Sequence, residues 1–136
     1  AQFSGLTPRH DRACLFRAVV EGVAFAMLDL LEALSFDGER LVLTGGGAKN
    51  PLWAQMICDL VARPVEVPRG SQFGARGAAL LAATAAGEFA TVHAASAAFS
   101  GLARRFEPDP ARRAALMPAL ARYRAARDRL LGASGA

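Results

Sequence analysis

Apolar and polar positions follow two different periods along this chain, and the changes of period outline its elements. Apolar or small residues recur at Leu15, Ala18, Val19, Gly22, Val23, Ala26, Met27, Leu30, Leu31 and Leu34, the spacing of one buried helical face. Thr7 is a good N-cap, Pro8 suits the first helical position and Asp11 puts a negative charge in the first turn, so a helix is expected from Thr7 to about Leu34. Gly22 inside it costs about 1 kcal/mol against alanine, which predicts that another backbone approaches closely there.

Turn chemistry at Ser35–Glu39, with Asp37-Gly38, precedes the short apolar run Arg40–Thr44, which is expected to be a buried strand. Asn50 and Pro51 then announce a second helix to about Ala62, with Leu52, Met56 and Leu60 as its apolar face and Trp53 and Ile57 alongside. Pro64–Pro68 reads as another strand. A helix separates the two strands, so they are expected to be parallel, as one βαβ unit. Downstream, GARGAALLAATAAG predicts a helix of small residues ended by Gly87, with Gly74 and Gly77 letting it pack against the first helix near Gly22. Residues 91–103 are alanine-rich and expected to be helical. Asp109-Pro110 starts a last helix to about Leu131, which Pro118 is expected to kink or divide. GASGA at the end reads as a frayed terminus.

A chain of 136 residues, 53% hydrophobic and 21% charged, can bury one core. No apolar run reaches the roughly 20 residues of a membrane-spanning helix, and the first residues do not read as a secretory leader. The expectation is a soluble, cytoplasmic protein. Cys14 and Cys58 have no CxxC or histidine company and read as small apolar residues with free thiols, and no metal site is expected. His10 and His93 read as surface or capping residues, and Arg17 with Glu21 as a local ion pair.

The net charge of +4 is unevenly placed. Residues 1–103 carry eight Lys or Arg against nine acids, while 104–136 carry eight Arg against three acids. In this basic helical tail the arginines at 112, 113, 122, 124, 127 and 129 alternate with Leu116, Leu120, Tyr123, Leu130 and Leu131. That pattern reads as a docked amphipathic helix with a solvated face. With no base-stacking aromatic surface beside it, nucleic-acid binding is not expected.

The chemistry-bearing stretch is TGGGAKN, residues 44–50, between the first strand and the second helix. Glycines there let a ligand approach backbone N–H groups, and a helix N-terminus favours negative charge. The P-loop reading fails because no GK[ST] follows. The dinucleotide reading finds a GxG at Gly45 and Gly47 and an acid, Glu66, about 20 residues on, but Asn50 holds the third-glycine place and Glu66 lies within a strand.

Three ordered stretches carry a resemblance. LVLTGGGAKNPLWAQMICDLVARPVEVP is similar to the adenosine-binding segment of the FGGY carbohydrate kinases, particularly their xylulokinase branch. AQFSGLTPRHDRACLFRAVVE, residues 1–21, resembles the second signature of that family, and GARGAALLAA, residues 74–83, the small-residue helix after its nucleotide loop. Cys14 stands where the signature prefers His or another polar residue. Gln72 stands where an acid is usual, and Pro118 is unusual for the family's last helix.

The resemblance implies an α/β fold, a partial ribonuclease-H-like domain of the actin/hexokinase/Hsp70 superfamily with long helices on a few short strands. Residues 1–136 would then be the C-terminal part of the second, nucleotide-binding domain of a sugar kinase, with 104–136 a basic helical tail within it. It implies ATP and Mg2+ as cofactors and a ketose or polyol as the second substrate; D-xylulose, L-xylulose and erythritol all stay open. By position, the backbone of Gly45, Gly46 and Gly47 would lie against phosphates and ribose, Ala48 would line the same pocket and Asn50 would contact the adenosine end. Asn50 is equally a plain N-cap, and Lys49 either attracts phosphate or is a surface lysine. The catalytic base of such kinases, an aspartate, and their other phosphate loop belong to parts not in this sequence, so no catalytic residue is expected here and the chain alone is expected to be inactive on sugar. A homodimer is possible. A non-catalytic ATP-binding module of the same superfamily is the nearest alternative, and a basic nucleic-acid-binding domain a more distant one.

Overall fold

The structure, a computed structural model, describes residues 2–99 and 101–133. Its elements run α1 (Arg12–Ala33), β1 (Leu41–Val42), a single 3₁₀ turn (Gly47–Lys49), α2 (Pro51–Val61), β2 (Val65–Pro68), α3 (Phe73–Ala85), α4 (Val92–Ala98), β3 (Leu102–Phe106) and α5 (Pro110–Ala133). The three strands form one sheet in the order β1-β2-β3.

The first helix starts later than its sequence suggests. Thr7 and Pro8 belong to a separate turn, in which the Thr7 N–H donates to His10 Nδ1 at 2.9 Å and the His10 N–H returns to the Thr7 carbonyl at 3.0 Å. Asp11, expected inside the first turn, is instead the N-cap, its Oδ1 accepting from the Cys14 N–H at 2.9 Å. That hydrogen bond stabilises the carboxylate and holds the Asp11 pKa below its ordinary value. Cys14 is exposed rather than packed, whereas Cys58 is fully buried.

β1 and β2 pair in parallel, Leu41 with Val65 and Val42 with Glu66, so the expected βαβ unit is present. Asn50 Oδ1 accepts from the N–H groups of Leu52 (3.0 Å) and Trp53 (3.3 Å), and Pro51 opens α2. The buried face of α2 is the expected one at Ile57 and Leu60, with Met56 and Trp53 partly buried, and departs from it at Leu52. Leu52 is exposed, while Ala54, Ile57, Cys58, Asp59 and Leu60 are buried. The helix is enclosed by the sheet, by Ala24, Phe25 and Leu28 of α1, and by Leu116 and Leu120 of α5, which widens its buried stripe past the side facing α1 alone. Phe25 and Tyr123, with ring centroids 5.6 Å apart, join α1 to α5. The Cys58 thiol donates to the carbonyls of Arg63 and Phe106, and burial pushes its pKa up to about 11.

Among the described residues Asp59 is the one buried charge in this core. Its Oδ1 accepts from Gln55 Nε2 and from the Asp109 N–H, both at 2.8 Å, and its Oδ2 from Arg112 Nε at 2.8 Å. The side chain thus ties α2 to the start of α5, satisfying a carboxylate that would otherwise be too costly to bury.

Other expectations need correction. Residues 91–103 are not all helical: α4 ends at Ala98, and β3 follows, antiparallel to β2. α5 is one helix, undivided at Pro118; the neighbouring Leu116 and Leu120 are both buried, so core packing offsets the hydrogen bond that proline cannot donate. Gly74, Gly77 and Gly22 do not meet, since a Cβ at each would find nothing within 4 Å. α3 buries no residue completely and packs on α4 instead. Nor are the α5 arginines simply solvated: Arg112 pairs with Asp59, Arg124 with Asp29 and Glu32, and Arg127 with Asp29. Gly132 and Ala133 of the expected frayed end are helical, and 134–136 lie outside the described residues. No helix among the described residues is long and apolar enough to cross a membrane.

Candidate functional site

Parallel strands bring their carboxyl ends, and the turns that follow them, to one edge of a sheet, which is where open α/β sheets bind ligands. In this chain a cleft of about 850 Å³ opens there. Three segments build it. Thr44, Gly45, Gly46, Ala48 and Lys49 come from the turn after β1; Val67, Pro68 and the stretch from Gly70 to Ala75 come from the end of β2 and the start of α3. Ala103 and Arg104 of β3 close the far side.

Each glycine of the turn has its own reason. Gly45 sits at φ +88°, a conformation that side chains disfavour. Gly46 has ordinary helical dihedrals, φ −63° and ψ −40°, and a Cβ on it would meet nothing within 4 Å. Gly47 is held by packing: a Cβ there would fall 2.8 Å from Trp53 Cε3 and closer still to Cζ3. Gly45 and Gly46 therefore present bare main chain to the cleft. Among the described residues their N–H groups donate to no protein acceptor.

The expected site residues divide between two places. Gly45, Gly46 and Ala48 line the cleft, Ala48 as its buried backing at 3% exposure. Gly47 and Asn50 instead border a small apolar groove of about 220 Å³ beside Trp53 and Val19, Val20 and Val23 of α1. The Asn50 carbonyl oxygen is used in capping α2, which leaves its NH2 group as a donor. Lys49 lines the cleft and is one of two charged residues among its lining; Arg104 is the other.

Sequence reasoning missed one wall, on β3, and marked Gln72 only as a departure from the family pattern. Gln72, the N-cap residue of α3, has φ +52° and makes no capping hydrogen bond with its side chain. Ala103 and Arg104 were hidden because LARRF lacks strict alternation, although Gly101 and Pro108 bracket the run as turn residues. Glu66, the ribose-binding acid of the dinucleotide reading, is not at the cleft. Arg40 Nε at 3.1 Å and an Arg105 terminal nitrogen at 2.8 Å hold it across the sheet. Among the described residues no group of three His, Cys, Asp or Glu side chains is placed to hold a metal ion.

Comparison with known proteins bears on the family and the fold. The model of the C-terminal domain of the FGGY family of carbohydrate kinases matches residues 1–86. A probable L-xylulose kinase of Pasteurella multocida is 35% identical over 126 residues, which are 90% of this chain and 25% of that protein. Among solved structures, a xyloylose kinase from Brucella ovis superposes with a TM-score of 0.82 at 34% identity, over 96% of this chain and 28% of that one. A ligand-bound xylulose kinase from Lactobacillus acidophilus gives 0.83 at 25% identity, over 98% and 28%. The chain thus spans about a quarter of the length of the relatives it matches. These neighbours have the actin/hexokinase-like fold, of which this chain is a mixed α/β part. The glycine turn, the parallel strand pair behind it and the match across residues 1–86 converge on one assignment: the chain belongs to the FGGY family of carbohydrate kinases.

Proposed function

We propose that residues 1–136 are the nucleotide-side, C-terminal part of a cytoplasmic, ATP-dependent sugar kinase that phosphorylates a hydroxyl of a ketose or polyol, nearest to the xylulose kinases. The observation that carries this reading is the bare backbone at Gly45 and Gly46, open to a cleft at the carboxyl ends of two parallel strands. Family membership supports the phosphotransfer, and relatives named as xylulose and L-xylulose kinases support the substrate class.

Phosphoryl transfer asks a protein mainly for positioning and for neutralising the phosphate oxygens. In this reading the N–H groups of Gly45 and Gly46 receive the nucleotide, Ala48 shapes the pocket from behind, and Lys49 adds positive charge at its rim. Asn50 and Gly47 act one step removed. Asn50 fixes the start of α2, and Gly47 accepts the Trp53 ring, so that together they hold the turn in its open shape. ATP supplies the transferable phosphoryl group. Among the described residues no carboxylate cluster is placed to hold Mg2+. The catalytic base is assigned to a part of the longer kinase that this sequence does not contain.

The test is Gly46→Val. Helical dihedrals and free space at Gly46 mean that the side chain fits the fold and fills the cleft. In the intact kinase the variant is expected to raise KM for ATP by about tenfold or more while leaving KM for sugar near its original value. An unchanged ATP dependence contradicts the proposal.

A further inference from the structure

Charge at the cleft is distributed in a way the glycine turn does not explain. The two charged lining residues, Lys49 and Arg104, are both cationic, and they stand on opposite walls, one after β1 and the other on β3 beyond β2. Arg105, next in sequence, is held by Glu66 at 2.8 Å and Glu107 at 2.7 Å. Among the described residues Arg104 meets no carboxylate.

Arg104 keeps regular register on the strand, and the irregularity lies beside it at Ala103. Val67 pairs with Arg104 but Pro68 pairs with Leu102, so Ala103 is an extra residue opposite the Val67–Pro68 step. Consecutive residues of a regular strand face opposite sides. The bulge breaks that rule, and Ala103 and Arg104 both line the cleft. Bulges of this kind re-aim side chains beside binding sites. The small side chain of Ala103 leaves the space, and Arg104 supplies a guanidinium suited to phosphate oxygens.

We infer that Arg104 is a nucleotide-binding residue that holds the phosphate-bearing end of the adenine nucleotide from the wall opposite the glycine turn. The inference rests on the nucleotide reading of the cleft given above. It concerns binding and not the base or the sugar, because a guanidinium adds affinity for phosphate and little for the uncharged nucleoside.

Calorimetric titration of the chain with ADP and with adenosine tests it, using Arg104→Gln, Arg104→Lys, Arg105→Gln and Gly46→Val. Arg104→Gln is expected to weaken ADP about tenfold and adenosine less than about twofold, the loss of one charge-assisted contact. Arg104→Lys is expected to recover part of the loss, and Arg105→Gln, which removes the same charge on the neighbouring residue, to leave ADP within about twofold. Thermal unfolding midpoints close to that of the original chain are expected, since Arg104 is exposed. Equal losses for Arg104→Gln and Arg105→Gln, or equal losses for ADP and adenosine, overturn the inference. Sensitivity of ADP to Gly46→Val with indifference to Arg104→Gln overturns it alone and leaves the cleft reading intact. Indifference to both, or no ADP binding at all, removes both.

Discussion

Asp59→Ala is the perturbation that most sharply tests how this fold is held. The carboxylate is 2% exposed and accepts three hydrogen bonds at 2.8 Å, from Gln55, the Asp109 N–H and Arg112. Their losses are unequal. Arg112 is 54% exposed and can turn to water or to Asp109, at 3.3 Å, so its share is the smallest. Gln55 keeps its 2.9 Å bond to the Glu107 carbonyl. The Asp109 N–H is left partly buried without its acceptor, at a cost of about 1–3 kcal/mol. Removing a desolvated carboxylate offsets part of the sum. The net expectation is about 2–3 kcal/mol lost, a large share of the 5–15 kcal/mol typical of a domain. Urea unfolding followed by the fluorescence of Trp53, the sole tryptophan, measures it. A double-mutant cycle with Arg112→Ala is expected to show coupling. A loss below about 0.5 kcal/mol with no coupling would refute the claim that this cluster fastens α5 to α2.

Three further substitutions test packing at the glycine turn and the ionisation of a buried thiol. Gly47→Ala drives a methyl group into the Trp53 ring and is expected to cost about 1–3 kcal/mol in the same urea assay, whereas Gly46→Ala, with open space around it, is expected to cost less than about 0.5 kcal/mol; equal costs would show that the two glycines do not differ as described. The Cys58 thiol, raised to about 11 by burial, keeps its proton in the folded chain at pH values where an unfolded thiol loses it. Its contribution is therefore fully present below about pH 8.5 and falls away as pH rises towards 11. Unfolding at pH 7, 9 and 10.5 is expected to show an alkaline loss of stability that is smaller in Cys58→Ala, and an identical pH dependence in both proteins would contradict this.

Local chemistry made part of this structure legible in advance. Asn50-Pro51 marked the start of α2 because a capping oxygen and a fixed φ act within a few residues, and the βαβ unit followed from two apolar runs with a helix between them. What stayed hidden depends on contacts distant in sequence. Nothing near Asp59 announces that Asp109 and Arg112, some fifty residues on, make it a buried anchor. Thr7-Pro8 and Asp11 are both sound helix starts, and the His10 hydrogen bond to Thr7 separates the first as a turn. At the site, the glycine turn was visible, but the opposite wall requires β3 to fold back beside β2 with a bulge, and its sequence carries no strand period. Gln72 was noticed as a departure from a family pattern; its left-handed backbone at the mouth of α3 appears only in the fold.

The turn at Gly45 and Gly46 is the proposed seat of the nucleotide. Crystals of the chain grown with ADP test it most directly. Adenylate density is expected along the main chain of these two residues, with the diphosphate between the turn and Arg104. Nucleotide found away from this cleft, or a cleft left empty at saturating ADP, would contradict it.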